Sequence, residues 1–218
     1  MVISASGARA STCAMPTKER QAALSPQGVV DELMAGNQRF VSGTMVNCDL
    51  NAQVMETATG QYPIAAVVGC IDSRVPPEMV FDQNIGDIFS ARIAGNFVNT
   101  DILGSLEFAC RVAGAKAIVV LGHTSCGAVK GAIDQVKLGN LTEMLARIEP
   151  AVQAAGPVAE RSSKNTDFVQ KVADANVALT VEAIKAQSEV LAGMVAAGEL
   201  VIVGAMHDVA TGQITLIS

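Results

Sequence analysis

Five short apolar runs constrain this chain more than any other feature: IAAVVG from Ile64, DIFSARI from Asp87, AIVVLG from Ala117, LVIVGAM from Leu200 and QITLI from Gln213. Runs of four to seven apolar residues, rich in β-branched side chains and bounded by turn residues, read as strands. Helical stretches separate most of them, and such alternation requires strands lying side by side in a largely parallel sheet with right-handed crossovers. The last run follows a Thr-Gly turn and is expected to return antiparallel along the sheet edge. The expected fold is therefore α/β, a central and mostly parallel sheet flanked by helices, with an N-terminal helical arm and a C-terminal antiparallel edge strand. Half of the 218 residues are hydrophobic and only 3% are aromatic, so aliphatic side chains must fill the core.

The helices are read from their end signals. SPQGVVDELMAGNQRFVSG predicts a helix with Ser25 as N-cap and Pro26 at its first position, ending near Phe40 before Gly43. TDILGSLEFACRVAGA predicts the crossover helix between the second and third strands, capped by Thr100 or Asp101 and stopped by Gly114. A helix is expected from about Ser125, another over NLTEMLARIEPAVQAA, and a long helical region from about Phe168 to Ala197. Thr44 to Gly60 has no clean period and reads as connecting chain. Residues 1–24 read as a mobile tail and residues 25–218 as a single domain.

Several function classes fall away on composition. A formal charge of −6 and the lack of a basic cluster interleaved with aromatics argue against nucleic acid as a partner. No apolar run approaches the about 20 residues of a membrane-spanning helix. The opening MVISASGARASTCAMPTKERQ has no continuous apolar stretch and does not read as a signal peptide, so a cytoplasmic setting is expected, with processing left open. Five cysteines at irregular spacing do not make a disulfide framework. They point to a reducing compartment and a metal or redox role.

The chemistry gathers at two strand ends. Cys70 follows the first strand directly, with Asp72 and Arg74 at alternate positions after it in GCIDSRVPPE. His123 directly follows the third strand, and Cys126 three residues later stands in the first turn of the next helix. Ligand sites in open parallel sheets form at this carboxyl edge. A helix amino end favours a thiolate at Cys126, and two thiolates with one imidazole make a zinc site with its fourth position open. Cys13, Cys48 and Cys110 have no partner at metal spacing and receive no role.

With CIDSR, GDIFSARIAGN, GSLEFA and GHTSCGAVKGA in this order, the chain from about Pro26 to its end closely resembles the β-class carbonic anhydrases. The resemblance implies a catalytic domain that hydrates carbon dioxide reversibly to bicarbonate and a proton. It implies one Zn2+ per chain on Cys70, His123 and Cys126, carrying a hydroxide that Asp72 orients while Arg74 restrains Asp72. By the same resemblance Gln61, Phe89, Ala94, Phe108 and Gly127 contact substrate, some of them from a neighbouring subunit, in a homodimer or tetramer. Family members with a regulatory bicarbonate pocket carry Trp and Tyr where this chain has Val67 and His207, so the open, unswitched type is expected, and His207 is left out of the catalytic set. Hydrolysis of carbonyl sulfide or carbon disulfide on the same metal is a rival activity. A non-catalytic zinc module and a thiol redox protein are rivals of another class.

Overall fold

The structure, a computed structural model, describes residues 13–217. The five runs are the strands β1 (Ala65–Gly69), β2 (Ile88–Arg92), β3 (Ala117–His123), β4 (Val201–His207) and β5 (Ile214–Ile217) of one sheet. Their order is β2-β1-β3-β4-β5, with the first four parallel and β5 antiparallel to β4. This is the mostly parallel sheet with an antiparallel edge that the apolar runs predict. Among the described residues ten α-helices accompany it: α1 (Lys18–Ala23), α2 (Pro26–Ser42), α3 (Leu50–Thr57), α4 (Pro77–Val80), α5 (Thr100–Glu107), α6 (Gly127–Ile133), α7 (Gly139–Ala146), α8 (Glu149–Ala154), α9 (Thr166–Gln187) and α10 (Glu189–Ala196).

Alternation along the strands divides the core into two layers, because successive side chains leave opposite faces. Ala66, Val68, Ile118, Val120, Ile202 and Met206 point to the layer formed with α5–α10. Ala65, Val67, Val119, Leu121 and Ala205 point to the layer formed with α2 and α4. Burial on both sides explains why β1 and β3 read as unbroken apolar runs. The register sets Gly69 opposite Leu121, so the residues that leave β1 and close β3 meet at one edge of the sheet. Against that edge α9 packs closely: a Cβ on Gly122 would stand 2.5 Å from Val177 Cγ2, and one on Gly204 2.7 Å from Val177 Cγ1. Glycine at both places lets the helix backbone approach the strands.

The cap signals hold where side chains compete least. Ser25 accepts from the Gly28 amide, Pro26 opens α2, and Gly43, with φ +70°, closes it. Elsewhere the structure corrects the sequence reading. Asn99, not Thr100 or Asp101, caps α5 by accepting from the Ile102 amide, and a π-helical turn (Phe108–Val112) continues that helix toward Gly114. The long helical region breaks at Ser188, whose hydroxyl caps α10 and donates to Glu107. The supposed connecting chain contains α3, capped by Asp49. Its apolar pattern is obscured because the side chain it buries is Gln53, whose amide donates to Asn84 and accepts from the Ile85 amide.

The segment read as a mobile tail begins outside the described residues, and its remainder is packed. Arg20 in α1 pairs with Asp87 at 2.8 Å and with Glu32, and the Gln21 amide donates to the carbonyls of Pro63 and Ala113. Cys13 and Cys48, which receive no role from their sequence spacing, are joined by a disulfide, which corrects the reading of the cysteines as metal or redox groups in a reducing compartment. Docking of α1 and the return of the chain before α3 bring together two thiols 35 residues apart. Among the described residues, no helix is long and apolar enough to cross a membrane.

Candidate metal centre

Cys70 emerges where β1 ends, His123 is the last residue of β3, and Cys126 occupies the cap position of α6. Two residues, Thr124 and Ser125, carry the chain from His123 to Cys126, and the turn is made by Ser125 in a left-handed conformation, φ +57°. The two sulfurs and an imidazole nitrogen lie within 4.8 Å of one another, and all three residues are at most 5% exposed. His123 Nδ1 faces the Thr124 carbonyl at 3.0 Å, which fixes the proton on that nitrogen and leaves Nε2 with a lone pair. That Nε2 is buried and has no hydrogen-bond partner. A buried acceptor aimed between two thiols is the donor set that a tetrahedral zinc ion takes.

The two sulfurs are driven in opposite directions. Cys126 donating to the Cys70 sulfur, together with backbone amides of Gly95 and Asp72, holds the Cys70 thiol down to about 4 against the opposing effect of burial. The same bond and burial push Cys126 upward, while amides of the first turn of α6 act the other way. A cation that binds both sulfurs takes them as thiolates and displaces any proton they hold.

Asp72 and Arg74 form a closed unit beside the cluster. Arg74 grips the carboxylate with two prongs, Nε to Oδ1 at 2.9 Å and Nη2 to Oδ2 at 2.8 Å, and its backbone amide also donates to Oδ1 at 3.0 Å. This fork holds the Asp72 carboxyl far below the usual carboxylate range, so it is an anion and a pure acceptor at neutral pH. Oδ2 stands 3.8 Å from His123 Nε2.

One residue of this corner escaped the sequence reading. Arg92, at the end of β2, donates from Nε to the Cys70 carbonyl at 2.8 Å and from Nη2 to the Asp72 carbonyl at 2.6 Å, clamping the backbone that carries both side chains. Its signal was an arginine closing an apolar strand, where a charge needs a partner. His207 lies opposite His123 in the register. It is 3% exposed, neither ring nitrogen has a partner, and burial lowers its pKa.

Two of the residues expected to touch substrate line a groove apart from this cluster. Phe89 and Phe108 stack edge to face at 6.2 Å and line an apolar groove of about 560 Å³ between β2 and α5. None of Cys70, Asp72, His123 or Cys126 lines that groove. Gln61 is exposed in the loop before β1, Ala94 is half-buried beside Gly95, and Gly127 opens α6 next to Cys126.

Comparison with known proteins agrees with this geometry. The profile of the carbonic anhydrase family matches residues 65–214. Carbonic anhydrase 2 of Mycobacterium tuberculosis is 34% identical over 198 residues, 88% of this chain and 93% of that protein. A β-carbonic anhydrase from Aspergillus fumigatus superposes with a TM-score of 0.68 at 26% identity, covering 77% of this chain and 81% of the other. One of two tetrameric β-carbonic anhydrases from Sordaria macrospora superposes with a TM-score of 0.67 at 25% identity, over 75% and 85% of the two chains.

Proposed function

Because the chain belongs to the carbonic anhydrase family, whose reaction is the reversible hydration of carbon dioxide to bicarbonate and a proton, we propose that Cys70, His123 and Cys126 hold one zinc ion at the centre of that reaction. The observation that carries the assignment is the unpartnered Nε2 of buried His123 beside two thiols. When bound, the ion supplies a Lewis acid that lowers the pKa of a coordinated water toward neutrality.

The chain's own groups do the rest. Asp72 is held ionised by Arg74, so it accepts a hydrogen bond from the attacking water and turns that oxygen's lone pair toward the carbon of carbon dioxide. It is too weak a base to keep the proton at neutral pH, and the proton passes on to solvent. Arg74 occupies both carboxylate oxygens, which keeps Asp72 off the ligand atoms and supports the open, unswitched state. Arg92 fixes the backbone on which Cys70 and Asp72 stand.

Gln61, Phe89, Ala94, Phe108 and Gly127 are proposed to shape the carbon dioxide pocket. Phe89, Phe108 and Gln61 serve the site of an adjoining subunit, in a homodimer or in a tetramer like those described for Sordaria macrospora. An apolar groove along a sheet edge, with Phe108 exposed in it and Phe89 half-buried, supports that reading. A cytoplasmic setting is proposed on condition that Cys13 and Cys48 are reduced there. Mass spectrometry of protein taken from its host without reductant decides that point.

Stopped-flow hydration of carbon dioxide by zinc-loaded protein tests the function. Activity is expected with zinc, and none after the ion is stripped by a chelator. Equal rates before and after stripping would refute the assignment.

A further inference from the structure

Asn176 lies on α9, far from Cys70 in sequence, and has no part in the chemistry above. It is nevertheless 3% exposed and spends its side-chain amide on one backbone atom, donating from Nδ2 to the Gly95 carbonyl at 2.7 Å. Gly95 in turn donates its own amide to the Cys70 sulfur at 3.4 Å. We propose that Asn176 is a positioning residue for the metal centre: it anchors the Gly95 turn so that the Gly95 amide stays on the Cys70 sulfur and moderates the charge that sulfur gives the metal. This inference rests on the zinc reading.

The turn needs an anchor. Residues 93–96 make a four-residue turn closed by the Asn96 amide to the Ile93 carbonyl at 3.0 Å. Gly95 at its third position has φ +86°, and Asn96 follows with φ +41°. Two successive left-handed residues, one of them not glycine, are an unfavourable backbone that persists only when its surroundings hold it. A Cβ at Gly95 would lie 2.4 Å from Ile148 Cδ1, so the turn is pressed against α8 with no room for a side chain. The other end of the turn is tied to β1, where the Ile93 amide donates to the Gly69 carbonyl at 3.0 Å. Without Asn176 the buried Gly95 carbonyl has no donor, and the turn must shift to find one. The amide on the far side of the same glycine then leaves the sulfur.

A hydrogen bond to a metal-bound thiolate draws charge from the sulfur, and partners of ligands tune metal affinity about 10- to 100-fold. The test uses cobalt(II) in place of zinc, because cobalt reports its sulfur ligands through a near-ultraviolet charge-transfer band. Wild type, Asn176→Ala, the similarly sized Asn176→Leu, and Thr180→Val one turn along α9 are compared by that band and by competition with a chelator for the metal. Both Asn176 variants are expected to shift the band to longer wavelength and to hold metal about tenfold more weakly, while Thr180→Val matches wild type in both. A folded Asn176→Leu protein with wild-type band and affinity would overturn the proposal. So would Asn176 variants that fail to fold while Thr180→Val is sound, since Asn176 would then serve the fold. Wild-type protein lacking any sulfur-to-cobalt band would overturn the zinc reading, and this inference with it.

Discussion

The two halves of the site stand in opposite conditions. At the ends of β1 and β3, buried ligands are flanked by backbone clamps and by a carboxylate whose two oxygens are both engaged. Along the β2 edge, Phe108 is 50% exposed and lines an apolar groove that Cys70, Asp72, His123 and Cys126 do not reach. On the proposed reading, the difference separates what one chain completes by folding from what a second copy completes: the metal corner depends on local chain geometry, and the apolar wall on association. Substitutions should therefore separate metal content from subunit state.

The largest effect is expected at the ligands. Cys70→Ala or His123→Ala should lose stoichiometric zinc and bring hydration down to the buffer rate, while the dimer persists, as metal analysis and light scattering would report. Next comes Asp72→Asn, which keeps the metal and the shape but removes the anionic acceptor. Its kcat should fall about 10²- to 10³-fold. If zinc were lost as well, Asp72 would be supporting the metal and not the water.

Phe108→Arg probes the other half. A charge placed in the groove should yield monomers that retain zinc and lose about a hundredfold in kcat/KM, because the pocket wall is displaced. Fully active monomers would show that a single chain completes its own pocket. Arg92→Ala should leave metal content and subunit state alone and slow the reaction about tenfold, about 1.4 kcal/mol of misplaced backbone. The smallest effect on activity is expected from reducing the Cys13–Cys48 bond, which lies in the N-terminal arm. The rate should not change, while the melting temperature falls by up to about 10 °C, from about 3 kcal/mol of lost cross-link. A drop in rate would tie the arm to the site.

How much of this was legible follows from where the information sits. The sheet could be read because β1 and β3 are buried on both faces, which forces uninterrupted apolar runs. The metal corner could be read because strand ends in a parallel sheet share one edge, so Cys70, His123 and Cys126 announce their convergence despite the distance between them in sequence. α3 could not be read, since its buried residue is Gln53, a polar side chain that satisfies a loop and breaks the apolar period. Neither could the Cys13–Cys48 pair or the roles of Arg92 and Asn176. Each acts on backbone or on a remote partner that only the assembled fold brings near.

Zinc-edge X-ray absorption of protein purified without added metal tests the central claim most directly. One zinc per chain is predicted, with two sulfur neighbours at about 2.3 Å and nitrogen or oxygen neighbours at about 2.0–2.1 Å. A zinc shell without sulfur, or protein free of stoichiometric zinc, would contradict it.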